Sequence, residues 1–218
     1  MTQLHEQYRP QLWSDVVGQR EAVKKVTTLA KRGLGGRAYF ISGKSGTGKT
    51  TIAMLLAAEV ADDWGIDELD ASSVTVKTIQ DMERRHSGRG LGKGGYAVVV
   101  NESHGLRRDV IRQLLVTLER IPEHVVWVFT TTIEGQEALF EDQIDAHPLL
   151  SRCIEMPLRF RGLKGEFAQH CMLIAEKENL SNKSLKDYMA LAEDCNMNMR
   201  MMLQKIEAGD MCPEESLL

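Results

Sequence analysis

The chain has 218 residues, of which 43% are hydrophobic, so it is long enough for one large or two small domains with a buried core. Its formal net charge of -4 argues against a protein that coats nucleic acid by bulk electrostatics, and its four widely spaced cysteines argue against a zinc or disulfide framework. The N-terminus has no apolar signal region and no stretch approaches the roughly 18 apolar residues of a membrane span, so we expect a cytoplasmic protein without a membrane partner.

The first part of the chain alternates predicted helices and strands. Apolar residues at helical spacing over 14–32, with Ser14 as a candidate cap, precede the short strand RAYFIS, and a helix over 50–64 follows the glycine loop GKSGTGKT. We predict a further strand in DELDASS and a helix in VKTIQDMERRH. After the glycine-rich link SGRGLGKGG, the strands YAVVV and HVVWVFTTT flank the helix RRDVIRQLLVTLERI. This alternation predicts an α/β fold with buried parallel strands.

The pattern changes after SRCIEMPLRF. Residues 164–207 contain no convincing strand pattern, and three segments have helical spacing: FAQHCMLIAEKENL, SLKDYMALAEDC and MRMMLQKIEAG. We therefore expect an α/β domain over 1–158, a small helical domain over 159–210 and a tail over 211–218.

The glycine loop at 43–50, GKSGTGKT, matches the pattern G-x-x-x-x-G-K-[ST] in full and lies between a predicted strand and a predicted helix. Gly46 and Gly48 let successive backbone N–H groups point at phosphate oxygens, next to the positive end of the helix. Lys49 offers a charge to the β- and γ-phosphates, and Thr50 offers its hydroxyl to Mg²⁺. The candidate nucleotide-binding residues are Gly43, Lys44, Ser45, Gly46, Thr47, Gly48, Lys49, Thr50 and Thr51.

A second glycine run at 90–95, GLGKGG, satisfies G-x-G-x-x-G but precedes a strand, whereas a dinucleotide site needs that pattern after a strand and at the start of a helix. We therefore predict a flexible link. Arg84, Arg85, Arg89 and Lys93 lie beside it, and they allow two interpretations: a contact with nucleic-acid phosphates or a solvated loop.

Several segments, in order along the chain, resemble the clamp-loader branch of the AAA+ ATPases: QYRPQLWSDVVGQREAV, GKSGTGKT, ELDASS, LLVTLERIPEHVVWVFTTT and LLSRCIEMPL. The resemblance covers residues 8–203. It implies a P-loop NTPase parallel sheet followed by a small helical lid domain, with ATP and Mg²⁺ as cofactors. It also implies work in DNA replication, in which a homo- or hetero-oligomer of AAA+ subunits couples ATP state to the handling of a sliding clamp and primed DNA.

The resemblance also implies roles for residues outside the loop. The base of ATP would be lined by Tyr8, Arg9, Pro10, Val17 and Gly18. Thr131 or Thr132 would sense the γ-phosphate and orient water. Arg152 would be an arginine finger that acts in the site of a neighbouring subunit, and Arg200 would be a second sensor from the helical domain. The alternative interpretations are a local salt bridge for Arg152 and a solvated helix position for Arg200.

The sequence departs from the family pattern at three points. The segment NMNMR at 196–200 replaces the Gly-x-x-Arg that the family often shows, and the sequence ends where the family's third, helical collar domain would begin. Gln80 occupies a position where the family often has a DNA-contacting arginine, and Lys77 and Arg84 are candidates to replace that contact.

The segment VVVNESHGL at 98–106 bears on hydrolysis. Glu102 follows the strand at the position of the carboxylate that polarises the attacking water. Asn101 occupies the position of the aspartate that helps to hold Mg²⁺; it keeps an acceptor oxygen but loses the charge. We expect this to weaken Mg²⁺ binding by about 1 to 3 kcal/mol without abolishing it. We also expect Asn101→Asp to lower the Mg²⁺ needed for hydrolysis.

Because Glu102, Lys49 and Arg152 are all present, we predict a Mg²⁺-dependent ATPase. Two alternatives are a non-hydrolysing ATP-binding regulatory or structural subunit and a small-molecule phosphotransferase. His104, two residues past Glu102, has three interpretations: it tunes the glutamate, joins a subunit contact, or is a hydrogen-bonded surface histidine.

Overall fold

The computed structural model describes residues 3–133 and 146–212. Five strands form one sheet in the order β2-β3-β4-β1-β5, and every neighbouring pair is parallel. The strands are β1 (Arg37–Ser42), β2 (Ile66–Asp70), β3 (Tyr96–Asn101), β4 (Val125–Thr131) and β5 (Cys153–Pro157). The predicted α/β fold with a parallel P-loop NTPase sheet is confirmed.

The α-helices within the described ranges are α1 (Leu4–Gln7), α2 (Arg20–Ala30), α3 (Lys49–Val60), α4 (Val76–Arg85), α5 (Arg108–Leu118), α6 (Ala146–Ser151), α7 (Lys164–Lys177), α8 (Leu185–Asp194) and α9 (Met199–Glu207). Short 3-10 turns occupy Trp13–Asp15, Asp63–Gly65, Ala71–Ser73 and Ser103–Gly105. None of the helices in these ranges is both long and apolar enough to cross a membrane.

The chain divides into two compact units. The sheet unit comprises Glu21–Gly43 and Lys49–Leu158, and it contains all five strands. The helical unit comprises the residues up to Arg20, the loop residues Lys44–Gly48 and the chain from Arg159 onward. This division differs from the sequence-based domains 1–158 and 159–210 because the N-terminal segment and most of the glycine loop group with the helical residues. The functional assignment of those domains stays a prediction.

Burial on both faces explains the apolar strands of the sheet unit. Every residue of β4 is buried, and so are four of the six residues of β3. One face packs against α4 and α5 through Ile79, Ile111 and Leu114. Six of the twelve residues of α3 are buried and only Glu59 is exposed, which suits the Ala- and Leu-rich sequence between the loop and Val60. This packing holds the carboxyl ends of β1, β3 and β4 in place.

The helical unit has a separate core formed by α7, α8 and α9. Ser184 caps α8 through a capping box in which its backbone N–H donates to Asp187 Oδ2 over 2.9 Å, and Asn198 caps α9 by accepting from the Met201 N–H over 3.2 Å. Cys171 is buried in this core, and burial raises the pKa of its thiol to about 12. The thiol therefore stays protonated and acts as a packing residue.

Three sequence expectations differ from the structure. The helix predicted over 14–32 begins at Arg20, because Gly18 has a φ of +79° and interrupts it. Ser14 lies in a 3-10 turn and donates to Asp15 over 3.1 Å, so the cap prediction is wrong. Strand β5 was not predicted; it is a five-residue edge strand that ends at Pro157, and the sequence CIEMP has little strand character.

The glycine run at 90–95 forms a hydrogen-bonded loop in place of the expected flexible link. The Gly90 N–H donates to the Gly94 carbonyl over 3.1 Å, and the Gly94 N–H donates to the Leu91 carbonyl over 3.0 Å. The Lys93 N–H donates to Asp62 Oδ2 over 2.8 Å. We call residues 87–95 the glycine loop of the amino edge, since the next residue, Tyr96, begins β3.

Candidate nucleotide site

In the sheet unit, the candidate residues gather at the carboxyl edge of the sheet. Asn101 ends β3 and Thr131 ends β4, while Ser42 ends β1 in register with Thr131. The Gly43 N–H donates to the Thr131 carbonyl over 3.3 Å, which ties the start of the loop to β4. Ligands of open α/β sheets bind outside the carboxyl ends of the strands, and this edge has that position.

The first three residues of α3 are Lys49, Thr50 and Thr51, so the predicted phosphate ligands sit at the positive end of a helix. Lys49 is only 8% exposed, and its Nζ donates to the Gly43 carbonyl over 3.1 Å. The ammonium group is therefore held against the carbonyl of the residue that follows β1. A phosphate oxygen bound there would meet a charge that is already positioned.

The side chain of Asn101 connects three elements. Its Oδ1 accepts from Thr130 Oγ1 over 2.9 Å and lies 3.4 Å from Thr50 Oγ1. Its Nδ2 donates to Glu68 Oε1 over 2.7 Å. The amide is thus oriented with its oxygen towards two hydroxyl donors and its nitrogen towards a carboxylate. The structure brings together the predicted metal pair, Thr50 and Asn101, and adds Glu68 and Thr130, which sequence reasoning missed.

The chemistry of this group fits Mg²⁺, because hydroxyl and amide oxygens are hard ligands. Among the described residues there is no group of three or more His, Cys, Asp or Glu side chains that could hold a metal. A Mg²⁺ ion bound with a nucleotide takes several of its ligands from phosphates and waters, so a few protein oxygens suffice.

Glu102 has a left-handed backbone, with φ of 50° and ψ of 48°. This conformation costs a residue with a Cβ atom about 1 to 2 kcal/mol, and strained backbones concentrate at functional sites. The turn aims the side chain away from the strand, where it is 48% exposed. The predicted water-polarising carboxylate therefore stands at the carboxyl edge, and its strain carried no signal in the sequence.

His104 lies between Glu102 and Thr131. Its Nδ1 is 3.1 Å from Thr131 Oγ1 and 3.5 Å from Glu102 Oε2. The Thr131 side chain is fully buried, whereas Thr132 follows the end of β4 and is partly buried. Of the two candidate sensors, Thr131 is the one that contacts His104, which also lies close to Glu102. His104 is thus a partly exposed, hydrogen-bonded histidine, and a role in tuning Glu102 stays a prediction.

Arg152 interacts within its own unit. Its Nη1 donates to the Pro148 carbonyl over 2.9 Å, and its Nη2 forms an ion pair with Glu119. This is the local salt bridge given above as the alternative interpretation. The role of an arginine finger in a neighbouring subunit stays a prediction.

Most basic residues near the amino-edge loop also have partners within the sheet unit. Arg84 pairs with Asp81, Arg85 pairs with Asp67, and Lys93 Nζ donates to the Ala58 carbonyl. Gln80 is exposed on α4 near Arg84. A nucleic-acid contact by this face stays a prediction.

In the helical unit, the five predicted base-lining residues belong to the N-terminal segment. The Tyr8 hydroxyl donates to Glu178, and this hydrogen bond raises the pKa of Tyr8. Val17 packs against the helical core. A Cβ at Gly18 would lie 2.6 Å from a Leu163 side-chain atom, so this position requires glycine. Arg9 lies 3.4 Å from Glu6, and Pro10 is partly buried. Their role towards a base stays a prediction.

Gln19 is a further residue that sequence reasoning missed. It is 2% exposed, and its Nε2 donates to the carbonyls of Arg159 over 2.9 Å and Thr47 over 3.3 Å. Its Oε1 accepts from the Arg159 N–H over 2.9 Å. Gln19 thus fixes the loop residue Thr47 within the helical unit. The sequence signal for Gln19 was its place in the segment VGQ, directly after the predicted base-lining residues Val17 and Gly18.

The start of α9 also contacts the loop residues of the helical unit. The Met199 N–H donates to the Gly46 carbonyl over 3.3 Å, and a Cβ at Gly46 would lie 2.0 Å from Asn198 Oδ1. Lys44 Nζ lies 4.4 Å from the ring centroid of Phe160, while Ser45 is exposed. Gly46 therefore has no room for a side chain.

Arg200 is exposed in the first turn of α9. The two residues before the cap, Asn196 and Met197, both have left-handed backbones with φ of 50° and 59°. Met197 thus adopts, at some cost, the backbone that a glycine at this position of Gly-x-x-Arg adopts freely. The role of Arg200 as a second sensor stays a prediction.

Comparisons with known proteins agree with this site. A sequence profile of the TIP49 P-loop domain matches residues 3–86. The chain is 30% identical over 182 residues to DNA polymerase III subunit tau of Escherichia coli, an alignment that covers 72% of this chain and 27% of the relative. It is 29% identical over 186 residues to the replication factor C small subunit of Methanococcus maripaludis, which covers 81% of this chain and 55% of that relative.

Over most of its length, the chain resembles the clamp-loader branch of the AAA+ ATPases in sequence. A solved structure of the Thermotoga maritima RuvB Holliday junction branch migration motor superposes on this AAA+ chain with a TM-score of 0.70 at 18% identity. That superposition covers 92% of the AAA+ chain and 64% of the RuvB chain, and it shows the shared fold. In the present chain, the P-loop at residues 43–50 is a nucleotide-binding element. The chain spans 27% and 55% of the lengths of the two sequence relatives.

Proposed function

We propose that this AAA+ chain hydrolyses ATP with Mg²⁺ and couples its nucleotide state to the handling of a sliding clamp and DNA in replication. The observation that supports hydrolysis is the carboxyl edge, where Lys49, Thr50, Asn101, Glu102 and Thr131 meet. Apart from Asn101, which stands in place of an aspartate, each is a residue type that phosphoryl transfer to water uses.

Binding would begin with the phosphates. The N–H groups of the loop and the start of α3 would hold them, and Lys49 Nζ would exchange its bond to the Gly43 carbonyl for a phosphate oxygen. Thr50 and Asn101 would hold Mg²⁺, and a bound Mg²⁺ ion neutralises charge on the β- and γ-phosphates. By the family resemblance, the N-terminal residues from Tyr8 to Gly18 would recognise the base.

Hydrolysis would use Glu102 as the acceptor of a hydrogen bond from the attacking water, while Thr131 orients that water. His104 would keep the two side chains in one arrangement, since its Nδ1 lies within 3.5 Å of both. General-base catalysis contributes about 10²- to 10⁴-fold in rate. Arg152, acting on a neighbouring subunit, and Arg200, as a second sensor, would supply further charge in the transition state.

The partners proposed for this chain are AAA+ neighbour subunits in a cytoplasmic assembly, together with a clamp and primed DNA. The names of the two sequence relatives support replication as the setting. A nucleotide shifts a conformational equilibrium only by its differential affinity for the two states. Loss of the γ-phosphate contacts on hydrolysis would provide that difference.

One observation favours a second candidate, an ATP-binding subunit that does not hydrolyse. Asn101 lacks the charge of an aspartate on the Mg²⁺ side of the site. Such a subunit would bind Mg²⁺ and ATP but release no phosphate, and it would depend on another chain for hydrolysis.

A phosphate-release assay on the wild type and Glu102→Gln separates the candidates, with and without primed DNA and a clamp. An ATPase predicts release by the wild type and a loss of at least about 100-fold in the variant. Glu123→Gln, an exposed glutamate just before β4, is the matched control. Nucleotide binding without phosphate release under any assembly condition would instead support the binding-only subunit.

A further inference from the structure

The hydrogen bond between Asn101 and Glu68 indicates why residue 101 is an asparagine. Asn101 pairs in register with Asp70 on β2, and Glu68 lies two residues before Asp70, so all three side chains belong to one face of the sheet. Asp70 Oδ1 accepts from the Ser72 N–H over 2.9 Å and from the Ser72 hydroxyl, in the turn after β2. Glu68 is the acid that receives the Asn101 amide, over 2.7 Å.

We propose that Glu68 is a positioning residue for Asn101, which fixes the amide so that Oδ1 faces Thr50. The proposal rests on the Mg²⁺-nucleotide function proposed above. A carboxamide has two faces of opposite hydrogen-bonding character, and a flip would turn Nδ2 towards the Thr50 and Thr130 hydroxyls. An ionised carboxylate accepts only, so its contact with Nδ2 selects a single orientation.

The same contact explains why asparagine and aspartate are not equivalent at this position. An aspartate at 101 would place a second carboxylate at the distance now spanned by a 2.7 Å hydrogen bond, and two like charges there repel. Asn101 and Glu68 therefore form a matched hydrogen-bonded pair, in which Glu68 on β2 carries the negative charge. The sequence-based expectation for Asn101→Asp changes accordingly: the substitution tightens Mg²⁺ binding only when Glu68 is also made neutral.

The test is a Mg²⁺ titration of the affinity for a fluorescent ATP analogue, on the full chain, with thermal unfolding as a check of folding. Glu68→Ala removes the acceptor, and we expect it to raise the Mg²⁺ midpoint about fivefold, the scale of one hydrogen bond. Glu68→Gln keeps an acceptor oxygen and should stay within about twofold of the wild type. Glu83→Ala, an exposed glutamate on α4, is the control. A Glu68→Ala midpoint equal to that of the wild type would overturn the proposal.

The pair is tested further by a double-mutant cycle. Asn101→Asp alone should raise the Mg²⁺ midpoint, whereas Asn101→Asp with Glu68→Gln should lower it by about tenfold relative to that single variant, because the glutamine amide can donate to the new carboxylate. Additive effects of the two substitutions would contradict a matched pair.

A second measurement does not depend on nucleotide. The side-chain amide resonances of Asn101, assigned by their loss in Asn101→Asp, should shift in Glu68→Ala and stay close to their wild-type positions in the Glu83→Ala control. Unchanged resonances in Glu68→Ala would overturn the contact itself. If those resonances shift but the wild type binds the ATP analogue equally with and without Mg²⁺, the proposed function fails while the Glu68–Asn101 contact stands.

Discussion

The two edges of the sheet hold their polar residues in different ways. At the carboxyl edge, Asn101, His104 and Thr131 bond to other side chains, and Glu102 stands on a strained backbone. At the amino edge, polar groups are closed off by rings and by the backbone. His86 is 3% exposed and stacks on Tyr96 with a centroid distance of 4.3 Å.

The amino edge continues this closed pattern around the start of β4. His124 Nε2 is hydrogen-bonded to the His86 carbonyl over 2.9 Å, and Trp64 meets Tyr96 edge to face at 6.4 Å. The glycine loop of the amino edge lies against two of these rings, since a Cβ at Gly90 would lie 3.0 Å from both Trp64 and Tyr96, while Trp64 is 60% exposed. The difference indicates that the amino edge contributes stability, whereas the carboxyl edge keeps groups that can exchange a protein partner for a ligand.

The largest expected effect is at the carboxyl edge. Lys49→Met removes the ammonium that donates to the Gly43 carbonyl, and the affinity for ATP should fall about 10- to 100-fold, the scale of a charge-assisted contact. The unfolding temperature should not fall, because methionine fills the same buried position without the cost of burying a charge. Fluorescent-nucleotide titration and thermal unfolding measure the two effects.

Lys93→Met, which removes a lysine bonded to the Ala58 carbonyl on the amino side, is the control for Lys49→Met and should leave ATP affinity unchanged. A loss of ATP affinity in both lysine variants would contradict the assignment of ligand binding to the carboxyl edge alone.

The next effect is on stability and comes from the amino edge. Tyr96→Ala removes the ring that touches His86, Trp64 and His124, and we expect a loss of about 2 to 3 kcal/mol in the free energy of unfolding. ATP affinity should stay within about twofold, measured on the folded fraction. Tyr96→Phe keeps the ring and should lose less than about 1 kcal/mol. A large change in ATP affinity with little loss of stability would refute the assignment of roles.

A smaller effect is expected within the glycine loop of the amino edge. Gly92 has a φ of +64°, and a Cβ there would lie 2.1 Å from Asp62 Oδ2, the acceptor of the Lys93 N–H. Gly92→Ala should therefore destabilise the fold by about 1 to 2 kcal/mol in chemical unfolding. A Cβ at Gly88 meets nothing within 4 Å, so Gly88→Ala should be close to neutral. Equal effects at the two positions would mean that the loop is not held as described.

The smallest effect concerns pH. Burial raises the pKa of Asp67, but the nearby His86 ring, whose Nε2 lies 3.3 Å from Asp67 Oδ2, and the ion pair with Arg85 outweigh it and leave the pKa below its ordinary value of 3.8. A lowered carboxyl pKa gives stability that is present above the unfolded value and lost as pH falls through the folded one. Stability should therefore decline below about pH 4, and Asp67→Asn should flatten that decline in acid unfolding. An identical acid profile for the variant would rule out this contribution.

The sequence predicted the carboxyl edge well because parallel strands end at one edge. Asn101, Glu102 and Thr131 end or follow predicted strands, and Lys49 and Thr50 lie at the start of a predicted helix, so chain order alone places them together. The hydrogen-bond partners of these side chains could not be predicted from the sequence. The contact of Glu68 with Asn101 depends on the register of β2 against β3, and one sequence does not determine register between strands.

The same limit applies to the rest of the chain. Strand β5 was missed because an edge strand needs little apolar character, and its last residue, Pro157, discouraged the assignment. The left-handed backbones at Glu102 and Met197 were missed because tertiary contacts impose them against local preference.

The backbone at residue 102 has an evolutionary consequence. Glycine and asparagine adopt a φ near 50° at lower cost than glutamate does, so either replacement would make the protein about 1 kcal/mol more stable. A lineage with no need for a carboxylate here would gain by losing it. The proposed role of Glu102 in hydrolysis would therefore be obtained at a cost in stability.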